Sequence, residues 1–547
     1  MEKQYVSSIS SNVSIVLIWA SMLLFSVFYY PTLWSDILIV VFLFLAGLLL
    51  FFKSDTRFFQ VLVYSEMFLA PLEYYYFFRN LFLLVVLYLV LIIGALKRRM
   101  DVAGLISIFI VGLTAKLATP FGTDELMIDY YSAYLFLHGL NPYNPALTSN
   151  VYHFYNLSPY IYGTPYTTGG YVTNLNYPSL SFLLLIPAVV FKFNPNYIIL
   201  FFYLLLPIIL WRKLDRNSFL LFISAYFFNS YYLFYSTGGV DDIIWVTFLI
   251  LSFLVKDVKL KGVFYGLSIS YKQDPLVFLP FYLIQLKRKG QSLFKFLVFA
   301  LIPFFITNGY FIFLSPSLYF HDIITPIFDN LLQIGFSVNI FSVVGFFYEY
   351  KYFFLLSQLT IFLLGLYLYY TKKVSSYFGF IYFIMFFMYR MLWNYVMYMP
   401  FFSFLDSSSS ANLAIRKEVA KSLVVAFLLI LSFFFVFHYA FSSYYSSIHL
   451  EVIHVYSSDG KIYKIILNVS YTGKGKIKPF FRLFSIGGLH DGNGLLWLSN
   501  STWISKGEWE IVEVYAPCKF FTIQDNSTVI INAYYGNMNG YLTLNYT

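Results

Sequence analysis

Two carboxylates stand side by side, Asp124 and Glu125, in the segment Phe121-Gly-Thr-Asp-Glu-Leu-Met-Ile-Asp129, directly after a long apolar run. A carboxylate at the mouth of a helix bundle, partly desolvated beside aromatic residues, acquires the raised basicity of a general base. The plainer role is local: Asp124 or Glu125, helped by Thr123, caps the helix that follows. No cofactor is firmly implied, and the need for a divalent metal is unknown from residue type. Asp124, Glu125 and Asp129 carry the oxygen ligands a hard cation accepts.

A second candidate is Lys272, in the stretch from Gly262 to Ile284. Basic clusters bracket that stretch, and each limb has only about ten apolar residues, too few for an ordinary span. The chain is therefore expected to enter and leave by one side, with the Pro-broken tip Lys272-Gln273-Asp274-Pro275 between the limbs. An ammonium in that position suits an anionic phosphate, and pairing with Asp274 would equally satisfy it. A third segment, Ser236 to Trp245, offers Asp241 and Asp242 at a helix start, where capping explains them. The fourth, Tyr389 to Pro400, has Arg390, able to grip a phosphate through two N–H groups, and Trp393 or Tyr395, able to stack on a sugar. Interfacial aromatic belts have the same composition. His138, His153 and His321 lack any metal-ligand spacing, and no Walker loop, dinucleotide fingerprint or G-x-S-x-G elbow is present.

The elements that must position these residues are hydrophobic. Of 547 residues 60% are hydrophobic and 11% charged, which no water-soluble fold could bury. Runs such as Ser14 to Tyr30, Ile37 to Phe52, Leu81 to Leu96, Val102 to Ala118, Phe294 to Leu314, Phe353 to Tyr370, Tyr377 to Met388 and Leu423 to Ala440 approach or reach the length of a membrane span. The expected fold is an all-α polytopic transmembrane bundle of about 11–14 helices over residues 1–447. The net charge of +9 lies in short clusters between the runs, which reads as positive-inside topology and not as a nucleic-acid surface. Lys97 to Arg99, Lys256 to Lys261, Lys287 to Lys289, Lys372-Lys373 and Arg416 to Lys421 are then cytoplasmic. The outer loop 120–177, with the acidic motif, and everything after Phe441 lie outside. Two helices drawn through Pro178 to Trp211 would leave Arg212, Lys213 and Arg216 outside, so one of them is expected to be a half-helix or re-entrant.

From Ile448 short alternating segments separated by Gly, Asn and Ser predict an extracytoplasmic, sandwich-like all-β domain over 448–547. N-glycosylation patterns occur at Asn156, Asn468, Asn500, Asn526 and Asn545, all in regions read as external. The single cysteine, Cys518, excludes a disulfide within the chain. The first apolar run has no prompt cleavage site and reads as a retained helix.

These segments together resemble the GT-C superfamily of integral-membrane glycosyltransferases, in particular the polyprenyl (dolichyl)-phosphate-mannose-dependent mannosyltransferases. The likeness rests on Asp124-Glu125 after an early helix, the turn Gly139-Leu-Asn-Pro-Tyr143, Tyr177-Pro178, the step Gly239 to Asp242, and Lys272-Gln273 ahead of Pro275 and Pro280. It covers roughly Ala115 to Pro400. The resemblance implies transfer of a single sugar, mannose or another hexose, from a polyprenyl-phosphate donor to the hydroxyl of a glycan, glycolipid or protein acceptor, in the plasma membrane or an ER-like membrane. It makes Asp124 the base, with Glu125 second, and sets Lys272 and Arg390 on the lipid phosphate. Gln273, Asp129, Tyr143 and Asp242 join the substrate site as parts of the matched motifs. The chain departs from the family in having several helices before the acidic motif and lacks the W-W-D-Y-G-type signature of oligosaccharyltransferases. A lipid-linked-sugar flippase or other transporter is the competing expectation, and a membrane-anchored scaffold for the β domain is a third.

Overall fold

The computed structural model describes residues 2–27, 33–51, 59–118, 121–343, 345, 349–405, 417–486 and 494–545. Pro120, at the start of the outer loop, and Arg416, in the last basic cluster, lie outside them. The protein is mostly helical, with a C-terminal antiparallel sheet. Among the described residues three helices are long and apolar enough to cross a membrane: Leu293–Leu314, Lys351–Tyr370 and Lys421–Phe441. A bent pair, Leu180–Phe191 and Asn196–Trp211, which meet at 120°, is long and apolar enough together for a broken span or a re-entrant loop. The left-handed turn at Lys192 (φ 54°) and Pro195, just ahead of the second helix, account for this break in the stretch where two full spans are hard to draw. Shorter apolar helices pack around these, among them Leu81–Leu96, opened by Asn80, and Met100–Thr114. Phe59–Phe78 is a helix without a continuous apolar run, because Glu66 and Glu73 interrupt it.

The basic clusters come together in two groups. Arg216 donates to the carbonyl of Arg98 and lies 3.9 Å from Asp101. Gln291 donates to the carbonyl of Lys256 at 3.5 Å, and Arg288 donates to that of Tyr369, next to Lys372 and Lys373. The stretch predicted as a hairpin is two short helices, Val258–Tyr271 and Leu279–Arg288, joined by a one-turn 3-10 segment at Asp274–Phe278. Its base thus carries the lysines of both brackets, and Lys272 sits at the opposite end.

The C-terminal domain differs from the two facing sheets of a sandwich. One continuous antiparallel sheet runs from Ile523–Gln524 through Lys461–Tyr471, Trp509–Tyr515, Leu495–Ser499, Phe480–Ile486 and Thr528–Tyr535 to Met538–Asn545. The strand Ile448–Ser458, bulged after Val452 and after Tyr456, also pairs with Lys461–Tyr471. It curls back until the carbonyl of Ile448 touches Gly540, so the sheet closes almost into a barrel. Alternating buried residues such as Ile465, Leu467, Val469, Val512 and Val514 fill its interior. Alternation predicts an inward and an outward face, which sandwich and barrel share.

Candidate active site

The acidic helix, Asp124–Leu137, starts where Thr123 accepts from the Leu126 N–H, so capping falls to Thr123 and leaves both carboxylates for other work. The Thr123 hydroxyl donates to the carbonyl of Gly239 at 2.6 Å. That contact is possible because Gly122 and Gly239 cross closely with φ of 95° and 89°. A Cβ on Gly239 would stand 2.1 Å from the Phe121 carbonyl oxygen. The crossing brings the acidic helix against the start of Ile243–Leu254.

Glu125 and Asp242 then reach Lys272 from two sides. Lys272 Nζ lies 2.7 Å from Glu125 Oε1 and 2.9 Å from Asp242 Oδ1, with Asp241 Oδ1 at 4.0 Å. The ammonium also sits 4.9 Å from the Tyr177 ring centre and 6.0 Å from that of Tyr395. Its carboxylate partners therefore come from distant segments, and Asp274 is not among them. Asp242 accepts further bonds from Trp245 Nε1 at 2.7 Å and from Asn394, while Asp241 accepts from the Tyr271 hydroxyl at 2.8 Å. Lys272, Asp241 and Asp242 are fully buried, whereas Glu125 keeps one edge open.

Asp124 is placed differently. Half-buried, it accepts from the Thr164 N–H at 2.9 Å and from the Glu125 N–H at 3.0 Å, and among the described residues no ion pair holds it. Burial pushes its carboxyl above the ordinary range, while the Thr164 bond and the nearby Arg390 charge pull it partly back. Arg390 is set by a two-residue parallel pairing, Ile334 with Arg390 and Gly335 with Met391, and donates to the Leu332 carbonyl. Its half-buried guanidinium is close enough to Asp124 for its charge to lower that carboxyl.

The other candidates divide. Gln273 donates to the carbonyls of Asn176 and Ile323 at 2.9 and 3.3 Å, leaving its own Oε1 unpartnered among the described residues. Asp129 accepts from Ser181 at 2.9 Å through one oxygen, and its second oxygen is likewise unpartnered. Tyr143 is a buried brace whose hydroxyl donates to the Tyr177 carbonyl at 2.9 Å. Trp393 stacks on Phe336 with ring centres 4.6 Å apart and is buried, whereas Tyr395 keeps partial exposure beside Lys272. No group of three or more potential metal ligands occurs among the described residues. Asn156, Asn500, Asn526 and Asn545 are exposed, while Asn468 is half-buried in mid-strand with its amide on Glu451 at 3.2 Å.

Sequence reasoning passed over Thr164, Asn174, Asn176, Asp322 and Asn394. Asn174 donates to Asp322 at 3.1 Å beneath the same loop. A signal did exist for the asparagines, polar amides set in otherwise aromatic loops just before Tyr177-Pro178 and just after Trp393. No protein-family model, curated protein or solved structure matches the chain.

Proposed function

We propose that this chain is a multi-pass membrane glycosyltransferase of the GT-C type, moving one hexose from a polyprenyl-phosphate donor to an acceptor hydroxyl at the outer face. The observation that carries the reading is Asp124: a half-buried carboxylate of raised basicity, outside any ion pair, with a guanidinium close by. A base and a cation are what a displacement at an anomeric carbon requires. The acceptor O–H bond breaks, its proton passing to Asp124. The oxygen bonds to the anomeric carbon, and the bond from that carbon to the phosphate oxygen breaks with its electron pair leaving on the phosphate.

Roles follow from what each side chain has left to offer. The three N–H directions of Lys272 already meet Glu125, Asp242 and the Tyr177 ring, so the lysine ties the acidic segments together. Arg390 spends one donor on Leu332 and keeps others for a phosphate, in place of the direct phosphate role expected for Lys272. Buried acceptor oxygens on Asp129, Gln273, Asn176 and Asp322, which have no hydrogen-bond partner among the described residues, suit the hydroxyl donors of a sugar. The membrane supplies the donor. Apolar side chains face outward along Leu293–Leu314, where Phe313 is 82% exposed, and the Lys421–Phe441 span has only 6% of its residues buried. The grouping of basic clusters at the base of the hairpin supports an inner side there, opposite Lys272.

The decisive experiment is Asp124→Asn, assayed for hexose transfer from a polyprenyl-phosphate sugar in membranes. Asparagine keeps the acceptor for Thr164 but cannot take a proton, so turnover should fall by about 10²–10⁴-fold with expression unchanged. Normal turnover in that variant removes Asp124 as the base.

A further inference from the structure

The barrel and the acidic site share a single segment of chain, Asn330 to Phe336. Toward the membrane domain, the Thr167 N–H donates to the Asn330 carbonyl at 2.7 Å and the Leu332 N–H to that of Pro165 at 2.9 Å. This pins the segment to the loop whose Thr164 N–H holds Asp124. The same segment carries the Leu332 carbonyl that receives Arg390, and its Phe336 N–H donates to the Met391 carbonyl at 3.2 Å. From the barrel, Arg482 closes the junction. It is 1% exposed, donates through Nη1 to the Gln333 carbonyl at 2.8 Å and through Nε to Asn532 at 2.7 Å, and lies over the rings of Phe484 and Tyr534. No carboxylate pairs with Arg482 among the described residues. A buried guanidinium confined to neutral acceptors is costly to desolvate and serves by fixing geometry. Two further contacts seat the barrel on the loop: the Gly536 N–H donates to the Thr167 carbonyl at 3.0 Å, and the Phe480 ring covers Gly169, where a Cβ would stand 2.4 Å from it.

We infer that the C-terminal barrel is a structural part of the acidic site, with Arg482 as the positioning residue that fixes the 330–336 segment and, through it, the relation of Arg390 to Asp124. The kinetic consequence rests on the transferase reading; the mechanical one does not. The test is therefore double, on the full-length protein in detergent or nanodiscs. In Arg482→Gln, amide hydrogen exchange at Thr164, Thr167, Leu332 and Phe336 should quicken at least tenfold while strand Lys461–Tyr471 stays protected. With a polyprenyl-phosphate hexose as donor, KM should rise in both Arg482→Gln and Arg390→Lys, and Arg482→Lys should recover part of the loss. Unchanged exchange at those four amides overturns the inference whether or not transfer is ever detected. Quickened exchange without a kinetic effect, in a protein that does transfer sugar, overturns the positioning role alone. Should the glutamine variant lose protection throughout the barrel, Gly169→Ala repeats the test from the membrane-domain side. There the added methyl and the φ of 94° unseat the Phe480 ring with no barrel residue substituted, and the same amides must respond.

Discussion

Removing the charge of Lys272 separates a structural tie from a phosphate ligand. In Lys272→Met the side chain keeps its length, but Glu125, Asp242 and Asp241, at 2.7, 2.9 and 4.0 Å from the ammonium, lose their only cationic neighbour in the cluster. Breaking one partner out of a buried ion pair costs about 3–5 kcal/mol, because the remaining charge is left unpaired. Here Lys272 is 3% exposed and Asp242 0%, so solvent offers little relief and the upper half of that range applies. The loss has a definite pH dependence. Burial already holds the Glu125 carboxyl above its ordinary range, and Lys272 pulls it down. Without the lysine it rises further. A carboxyl raised in the folded state favours folding below its unfolded value and loses that contribution as pH climbs through the folded one. The deficit of the variant should be smallest in acid and widen as pH climbs past the already raised value of the parent's Glu125. Thermal unfolding in detergent at several pH values measures this, and Glu125→Gln added to Lys272→Met should recover about 1–2 kcal/mol by removing one stranded charge. A variant as stable as the parent at every pH, with only donor KM raised, would refute the tie and return Lys272 to the phosphate.

Arg390→Gln removes a charge that lowers the Asp124 carboxyl, so the acid limb of kcat against pH should move to higher pH while donor KM rises. Gly239→Ala forces a methyl to 2.1 Å from the Phe121 carbonyl at a φ of 89°; a loss of about 1–3 kcal/mol or more, read by unfolding, should come with lost turnover because the acidic helix shifts. Glu66→Ala strips an acceptor from Asn12 and Ser224, at 2.8 and 2.5 Å, and should cost about 1–3 kcal/mol, whereas Glu66→Gln keeps that acceptor and should cost less. If the outer assignment holds, glycosidase treatment of protein from a glycosylating host should reveal sugar on Asn156, Asn500 and Asn526 and little on Asn468, whose amide is engaged in mid-strand.

How far the sequence can be read depends on the range of the interaction concerned. Leu81–Leu96 is legible to the residue because sixteen apolar residues follow a capping asparagine, both local features. Phe59–Phe78 is not, since Glu66 and Glu73 break the apolar run and their hydrogen bonds to Asn12, Ser224, Trp19 and Ser230 come from elsewhere in the chain. Asn12-Val-Ser14 shows the same limit in reverse: it fits the glycosylation pattern, yet Asn12 is wholly buried against Glu66. In the acidic site each polar type was readable, but the pairing was not. Lys272 has Asp274 two residues away and binds Glu125 instead, 147 positions distant.

That distance explains why four separate motifs are needed where one would carry the charges. The helix Asp124–Leu137 has no lysine or arginine of its own, so its carboxylates must take their counter-charge from elsewhere in the chain. The Gly122–Gly239 crossing brings Asp242 alongside Glu125, and the hairpin delivers Lys272 from the other end of the bundle to the gap between them. Once Glu125 is spent on that tie, Asp124 is the carboxylate of the pair left without an ionic partner, with its position set by Thr164. Adjacent acidic residues thus divide their labour by their partners, one holding the segments and one kept for a proton, and exchanging them should fail. Combining Asp124→Glu with Glu125→Asp would leave the shorter side chain unable to span the 2.7 Å contact to Lys272 without pulling the hairpin inward. Turnover and stability should fall together in that double variant, whereas Asp124→Asn alone should lower turnover only.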